Sequence, residues 1–166
     1  MKAFSTRSVA RGAVIAALYC VLTLLLQPIS YGPVQFRVSE ALTLLPVFTM
    51  DAIPGLAVGC LLANLLGGCA WYDIVFGTLA TLIAAILTRK TREKLALAEA
   101  WPVVLNGLIV GPVVYFAYDL APGGSVIPAL LLKDIGSVAL GEAVICFVLG
   151  TILVRALRKV SPELWK

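Results

Sequence analysis

The chain has 166 residues, of which 61% are hydrophobic and 13% charged, with a net charge of +4 and no histidine. A soluble domain is closer to half apolar and a quarter charged, and one of this size could not hide so much apolar surface from water. These numbers exclude an ordinary soluble globule and make the lipid bilayer the expected solvent.

A helix needs about 20 mostly apolar residues to cross the hydrocarbon layer. Val9 to Gln27 supplies the first span. It follows Lys2, Arg7 and Arg11, as a signal peptide would, but it is too long for an h-region and further spans follow, so it reads as a retained helix. Pro28, Gly32 and Pro33 end it. Arg37 to Met50 is a short second segment with Pro46 inside, and the expectation is a kinked or partly spanning helix. Asp51 to Pro54 forms a turn before a third helix, Ile53 to Ala70. Trp71, Tyr72 and Asp73 form an aromatic and acidic edge ahead of a fourth helix, Ile74 to Thr88. A basic loop, residues 89–94, precedes a fifth helix from Ala100 to Tyr118. A loop with Pro122, Gly123 and Gly124 leads through Ile127 to Leu132 into a sixth helix, Lys133 to Leu157.

Six spans alternate sides, so the charges test the orientation. With the N terminus in the cytoplasm, one side holds Lys2, Arg7, Arg11, Arg89, Lys90, Arg92, Lys94, Arg155, Arg158, Lys159 and Lys166, and the other holds Arg37 and Lys133. The positive-inside rule then places both termini in the cytoplasm. The net charge reads as a set of anchors beside an anionic leaflet, and no nucleic-acid surface is implied. The outer half is acidic: Glu40, Asp73, Asp119 and Asp134 face those two bases, with Glu142 buried below. Such a surface favours a cationic or amine-bearing ligand; ordinary loop solvation is the plain alternative. The expected architecture is an all-α integral membrane protein of six helices, a single domain without a soluble appendage.

Small residues recur at helical spacing. Ala10, Ala13, Ala17 and Cys20 line one face of the first helix, with Gly12 and Ala16 beside them. Gly55, Gly59, Ala63 and Gly67 line the third, and Gly107 and Gly111 the fifth. Small residues four apart let helix backbones approach closely in lipid. For the third and fifth helices internal packing is the expectation; for the first, a docking face for another subunit stands equally.

Polar groups within the spans are costly and therefore informative. Glu142 lies about nine residues into the sixth helix, roughly 13 Å deep at the helical rise. It must be paired, protonated or facing a wet cavity. Asn64 and Asn106 either bond across helices or read a ligand. Trp71, Tyr72, Tyr115 and Tyr118 serve either as interfacial anchors or as stacking faces for a planar ligand. The four cysteines lie in or beside apolar runs without CxxC spacing, so they read as packing residues and no metal site is expected. There is no Walker A loop, HExxH or GxSxG, and no second deep aspartate completes a protease dyad with Asp73. The chain is not expected to be an enzyme.

The segment Tyr31-Gly-Pro-Val-Gln35-Phe-Arg37-Val-Ser-Glu40-Ala-Leu-Thr-Leu-Leu-Pro46 resembles the signature of the QueT family. The similarity continues through Gly59–Gly67 and Asp73–Thr81, and resumes around Asn106 and at Gly141-Glu142. Residues 119–124 fall outside the matched segments. The resemblance implies a substrate-binding S component of an energy-coupling factor importer, one membrane-embedded domain over residues 1–166. Its implied partners are a transmembrane coupling subunit and two cytoplasmic ATPases, which would hydrolyse the ATP; no cofactor is implied in this chain. An Ala-x-x-x-Ala motif, here Ala13 and Ala17, would meet the coupling subunit. The implied substrate is a queuosine precursor of the 7-deazaguanine type, such as 7-aminomethyl-7-deazaguanine. A guanine-type edge offers N–H donors to carboxylates, and an aminomethyl cation needs an acidic or carbonyl partner. The expected contacts are Glu40 and Glu142, with Asp73 and Asp134 as further acids, Asn106 at a base edge, and Trp71 and Tyr115 for stacking. Arg37 either meets a ligand carbonyl or orients Glu40. A solitary proton-coupled carrier using Glu142, or an S component for another vitamin, are the alternatives, and the absence of inverted halves weighs against the carrier.

Overall fold

The computed structural model describes residues 5–31, 35–120 and 124–160. Lys2, Gly32, Pro33, Pro122, Gly123 and Lys166, used above as chain breaks or charges, lie outside these residues. The described residues form helices and connecting turns, with no strand among them.

In chain order the helices are α1 (Thr6–Leu25), a one-turn α2 (Gln27–Ser30), a 3-10 helix (Val38–Val47), α3 (Ala52–Leu66), α4 (Trp71–Lys90), α5 (Leu95–Asp119) and α6 (Pro128–Val160). Four of them, α1, α4, α5 and α6, are long and apolar enough to cross a membrane; the 3-10 helix and α3 are shorter apolar helices. The exposed surface fits a lipid solvent, because Val14, Leu18, Leu65, Leu79, Leu108, Leu140 and Ile152 all face outward.

The second segment is short, as its length and Pro46 require, but it winds as a 3-10 helix through ten residues. Such runs seldom exceed a few residues, because the bonds are strained. Its last carbonyls are held from outside: Arg89 Nη1 donates to Pro46 O at 3.0 Å and to Val47 O at 3.1 Å. A guanidinium is well suited to two acceptors at once. Arg89 and Lys90 belong to the last turn of α4, so the basic loop is shorter than its charges imply. The Trp71 to Asp73 edge is the first turn of α4, and α5 begins at Leu95.

Glycine and alanine rows set the helix spacing. A methyl on Gly55 would lie 2.6 Å from Gly12 O, and one on Gly59 would lie 2.8 Å from Ala16 O. Thus α1 and α3 touch backbone to backbone through Gly12 and Ala16. Ala13 and Ala17 are exposed, and Ala13 borders the groove at the edge of that seam. The α3 row is therefore an internal packing surface. So is the α5 row, where a methyl on Gly111 would lie 2.6 Å from Ile135 Cα. Ile15, Tyr19, Leu56 and Cys60 fill the α1–α3 core, while Leu44, Val47, Ala98 and Val154 form a second cluster.

Both ends of the bundle are polar. One end has Arg11 beside Asp51 at 3.6 Å, with Ser8 also bonded to Asp51. The other carries Tyr31, Cys69, Tyr118, Asp119 and Lys133.

Candidate functional site

Three features bring the charged residues of the second segment into the interior. Tyr31 ends α2 and donates from its hydroxyl to Ala63 O at 3.2 Å and Asn64 Oδ1 at 3.3 Å, which ties the chain to α3. The extended stretch from Gln35 then crosses α6 at Gly141, where a methyl would lie 2.9 Å from the Gln35 carbonyl carbon. Glycine is needed for this close approach. The 3-10 helix begins directly afterwards and turns Glu40 inward.

Arg37 is buried with its guanidinium 5.1 Å from the centroid of the Tyr31 ring, a cation–π arrangement. Glu40 is only 1% exposed. The Tyr19 hydroxyl donates to its Oε1, and its backbone oxygen accepts from Thr43 Oγ1 at 2.5 Å. Glu142 is buried on the facing turn of α6. Cys146 connects the Glu142 carboxyl to the Glu40 backbone: its thiol lies 3.8 Å from Glu142 Oε2 and 3.9 Å from the backbone oxygen of Glu40. Asn106 is close enough to act electrostatically on both carboxyl groups, as is Arg37.

The hydrogen-bonding capacity of this group is not used up. Arg37 Nε and Nη2 are buried and have no hydrogen-bond partner, and Glu40 Oε2 and Asn106 Nδ2 make no well-formed bond although Asn106 lies within reach of both carboxyl groups. Each such atom costs about 1–3 kcal/mol, more if charged, and buried polar groups are ordinarily paired. Four in one neighbourhood form a buried polar cluster whose donors and acceptors are not all used. The helix geometry around it is irregular as well. Asn106 opens a π-helical turn, Asn106–Val110, and a second, Ile145–Gly150, follows Glu142 by three residues. Such π-turns occur frequently at functional sites.

A cavity of about 430 Å³ opens beside the Tyr31 ring. Gln35, Cys69, Asp73, Tyr118 and Asp119 also line it. Its size lies within the range of small-molecule pockets. Asp73 is 2% exposed; its backbone oxygen accepts from Asn64 Nδ2 at 3.4 Å, while its Oδ1 has no partner. Burial, reinforced by the Asp73 carboxylate, pushes the Cys69 thiol up to about 11. The bond to Asp73 and the bonds from Tyr31 use Asn64 in joining α3 to α4 and the Tyr31 segment.

The sequence-derived candidates thus separate by position. Arg37, Glu40, Asn106 and Glu142 are together in this buried cluster, and Asp73 lines the cavity beside Tyr31. Asp134 is buried but bonded to Lys133 at 3.1 Å, and Lys133 also holds Asp119 at 2.8 Å. Tyr115 is buried, and its hydroxyl accepts from the backbone N–H of Ile127 at 2.8 Å, fastening the segment that leads into α6. Trp71 is 70% exposed, packs edge-on against Tyr72, and is not among the residues that line the cavity. Tyr19, Tyr31, Gln35 and Cys69 were not singled out from the sequence as site residues. For Tyr19 a signal existed: a hydroxyl-bearing ring in the middle of an apolar span needs a buried partner.

A family model described as QueT transporter matches residues 9–159. Queuosine precursor transporter QueT of Lactococcus lactis subsp. cremoris (strain MG1363) is 41% identical over 85 residues, which is 50% of this chain and 50% of that protein. The aligned part therefore spans about half the length of that curated relative. No solved structure matches the chain. The family match extends over nearly the whole sequence, and the chain belongs to the QueT transporter family.

Proposed function

From this family membership we propose that the chain is the substrate-specific subunit of an energy-coupling factor importer, and that it captures a queuosine precursor of the 7-deazaguanine type. The observation that carries the reading is the set of buried donors and acceptors on Arg37, Glu40 and Asn106 that are not all used, next to Glu142. A deazaguanine presents a ring N–H and an exocyclic amine on one edge and a carbonyl beside them. A carboxylate accepts from the first two, and a guanidinium or amide donates to the carbonyl. Tyr31 and Arg37 offer stacking faces for the flat ring. In this reading six segments cross the membrane with both termini in the cytoplasm, and the Tyr31 end faces outward. The 3-10 helix and α3 are the two short crossings.

The exposed Ala13 and Ala17 suit a coupling subunit, because Gly12 and Ala16 already occupy the internal seam. Ser8, Val9, Gly12, Pro54 and Val58 border Ala13 around an apolar groove of about 290 Å³. The ATPases would be separate chains that power release to the inside. Calorimetric titration of the purified chain with 7-aminomethyl-7-deazaguanine, queuine and guanine tests the substrate class. Absence of binding to all three would sink it. The proximity of Glu40 and Glu142 favours one second reading, a solitary proton-coupled carrier. Uptake into vesicles containing this chain alone, without the ATPase module, would establish that alternative.

A further inference from the structure

We propose that the cavity beside Tyr31 is an ammonium subsite in which Asp73 receives the positively charged substituent of the precursor. The proposal rests on the function given above and deepens it: the Arg37–Glu40–Asn106 cluster reads the base, and Asp73 reads what is attached to the base.

Asp73 differs from the other aspartates nearby. Asp119 and Asp134 share Lys133, and Asp51 at the opposite end pairs with Arg11. Asp73 makes no ion pair among the described residues, although it is more deeply buried than Asp51 or Asp119. Its Oδ1 also lacks a hydrogen bond. A buried carboxylate without a counter-ion is costly, and a cation supplied by a ligand would offset that cost. Among the described residues no cation stands within ion-pair distance of it. Lys133 is held by two other carboxylates, and Arg37 lies over the Tyr31 ring.

Space at the carboxylate has been kept by Gly77, one turn further along α4. A methyl there would lie 3.3 Å from Asp73 Oδ1 and 3.1 Å from Asn64 Nδ2. The Tyr31 ring borders the cavity and also faces Arg37, so one ring is shared by the cavity and the Arg37–Glu40 cluster. A planar base near this ring can send its donor edge toward Glu40 and its substituent toward Asp73. The aminomethyl group of 7-aminomethyl-7-deazaguanine is an ammonium at neutral pH. The nitrile of 7-cyano-7-deazaguanine is neutral and only accepts. Asp73 therefore acts as a specificity residue that favours the amine.

The test uses the full chain purified in detergent, titrated with both compounds, in the unaltered protein and in Asp73→Asn. The expected result is at least a tenfold loss of affinity for the aminomethyl compound and less than a twofold change for the cyano compound. Gly77→Ala, which crowds the same oxygen without removing the charge, should give the same bias and guards against a fold defect in Asp73→Asn. Equal losses for the two ligands, or an unchanged affinity for the amine, would overturn the subsite while leaving the proposed function standing. If the unaltered protein binds neither compound, the function falls and the subsite with it.

Discussion

Gly141 of α6 lies against the backbone of Gln35, so closely that a methyl group on it would sit 2.9 Å from the Gln35 carbonyl carbon. This contact sets where the charged second segment enters the bundle, and it places Arg37 and Glu40 opposite Glu142. Gly141→Ala should therefore displace the segment. The expected outcome is a fall in ligand affinity of more than tenfold, with a loss of stability of about 1–3 kcal/mol, the usual effect of overpacking. Titration and thermal melting of the same preparation check it.

Tyr19 donates a hydrogen bond to Glu40 across the core. Tyr19→Phe removes the donor and leaves Oε1, like Oε2 already, without a well-formed bond. A buried acceptor left unsatisfied costs about 1–3 kcal/mol. Ligand affinity should drop by roughly 5- to 100-fold, since about 1.4 kcal/mol is a factor of ten. In the double variant with Glu40→Gln the two losses should not add, because both act on one bond. Full additivity would show that the pair is not coupled.

The two faces of α1 should respond differently to enlargement. Gly59→Leu forces a side chain into the Ala16 backbone and should lower the melting temperature and abolish binding together. Ala17→Leu adds bulk to an exposed position. It should leave titrated affinity within about twofold and, on the function proposed above, remove ATP-driven uptake in vesicles that contain the proposed coupling and ATPase subunits. Unchanged uptake by Ala17→Leu would relocate the coupling face.

Cys69 gives a pH-dependent signal. Its thiol is pushed up to about 11, by burial first and by the Asp73 carboxylate second, so it is protonated at neutral pH. The thiolate is the reacting species. Labelling by a maleimide should be slow at pH 7 and accelerate about tenfold per pH unit until the pH nears that value. Asp73→Asn removes one cause of the shift and should raise the rate at pH 8. A bound ligand in the cavity should suppress labelling at every pH.

Much of this arrangement is legible in the sequence for one reason. Apolar runs and buried charges carry large free-energy signs in lipid, so the long helices and the residues Arg37, Glu40 and Glu142 stand out. The rows of Gly55 and Gly111 are legible for the same kind of reason, since close packing requires small residues. Hydropathy is silent about winding. Nothing in Val38 to Val47 beyond Pro46 indicates a 3-10 helix, and the carbonyl clamp by Arg89 is a long-range contact. Cysteine at position 69 reads as a packing residue because its chemistry comes from Asp73 and from burial, which arise only in the fold. Trp71 looks like a stacking ring from its neighbour Asp73, yet in the first turn of α4 the two side chains leave the helix on different sides, one exposed and one buried. The association of Glu99 with Thr151, at 2.6 Å, has no local signature either.

The winding of the second segment also sets a length. Ten residues at the 3-10 rise of about 2.0 Å cover about 20 Å, whereas an α-helix at 1.5 Å would cover about 15 Å. Arg89 grips the far end of this stretch, so the difference is about 5 Å at Arg37 and about 3.5 Å at Glu40. Position along the bundle is thus measured out by coil pitch: a change of hydrogen-bond pattern in ten residues would carry Arg37 by nearly one α-helical turn and Glu40 by about two thirds of one.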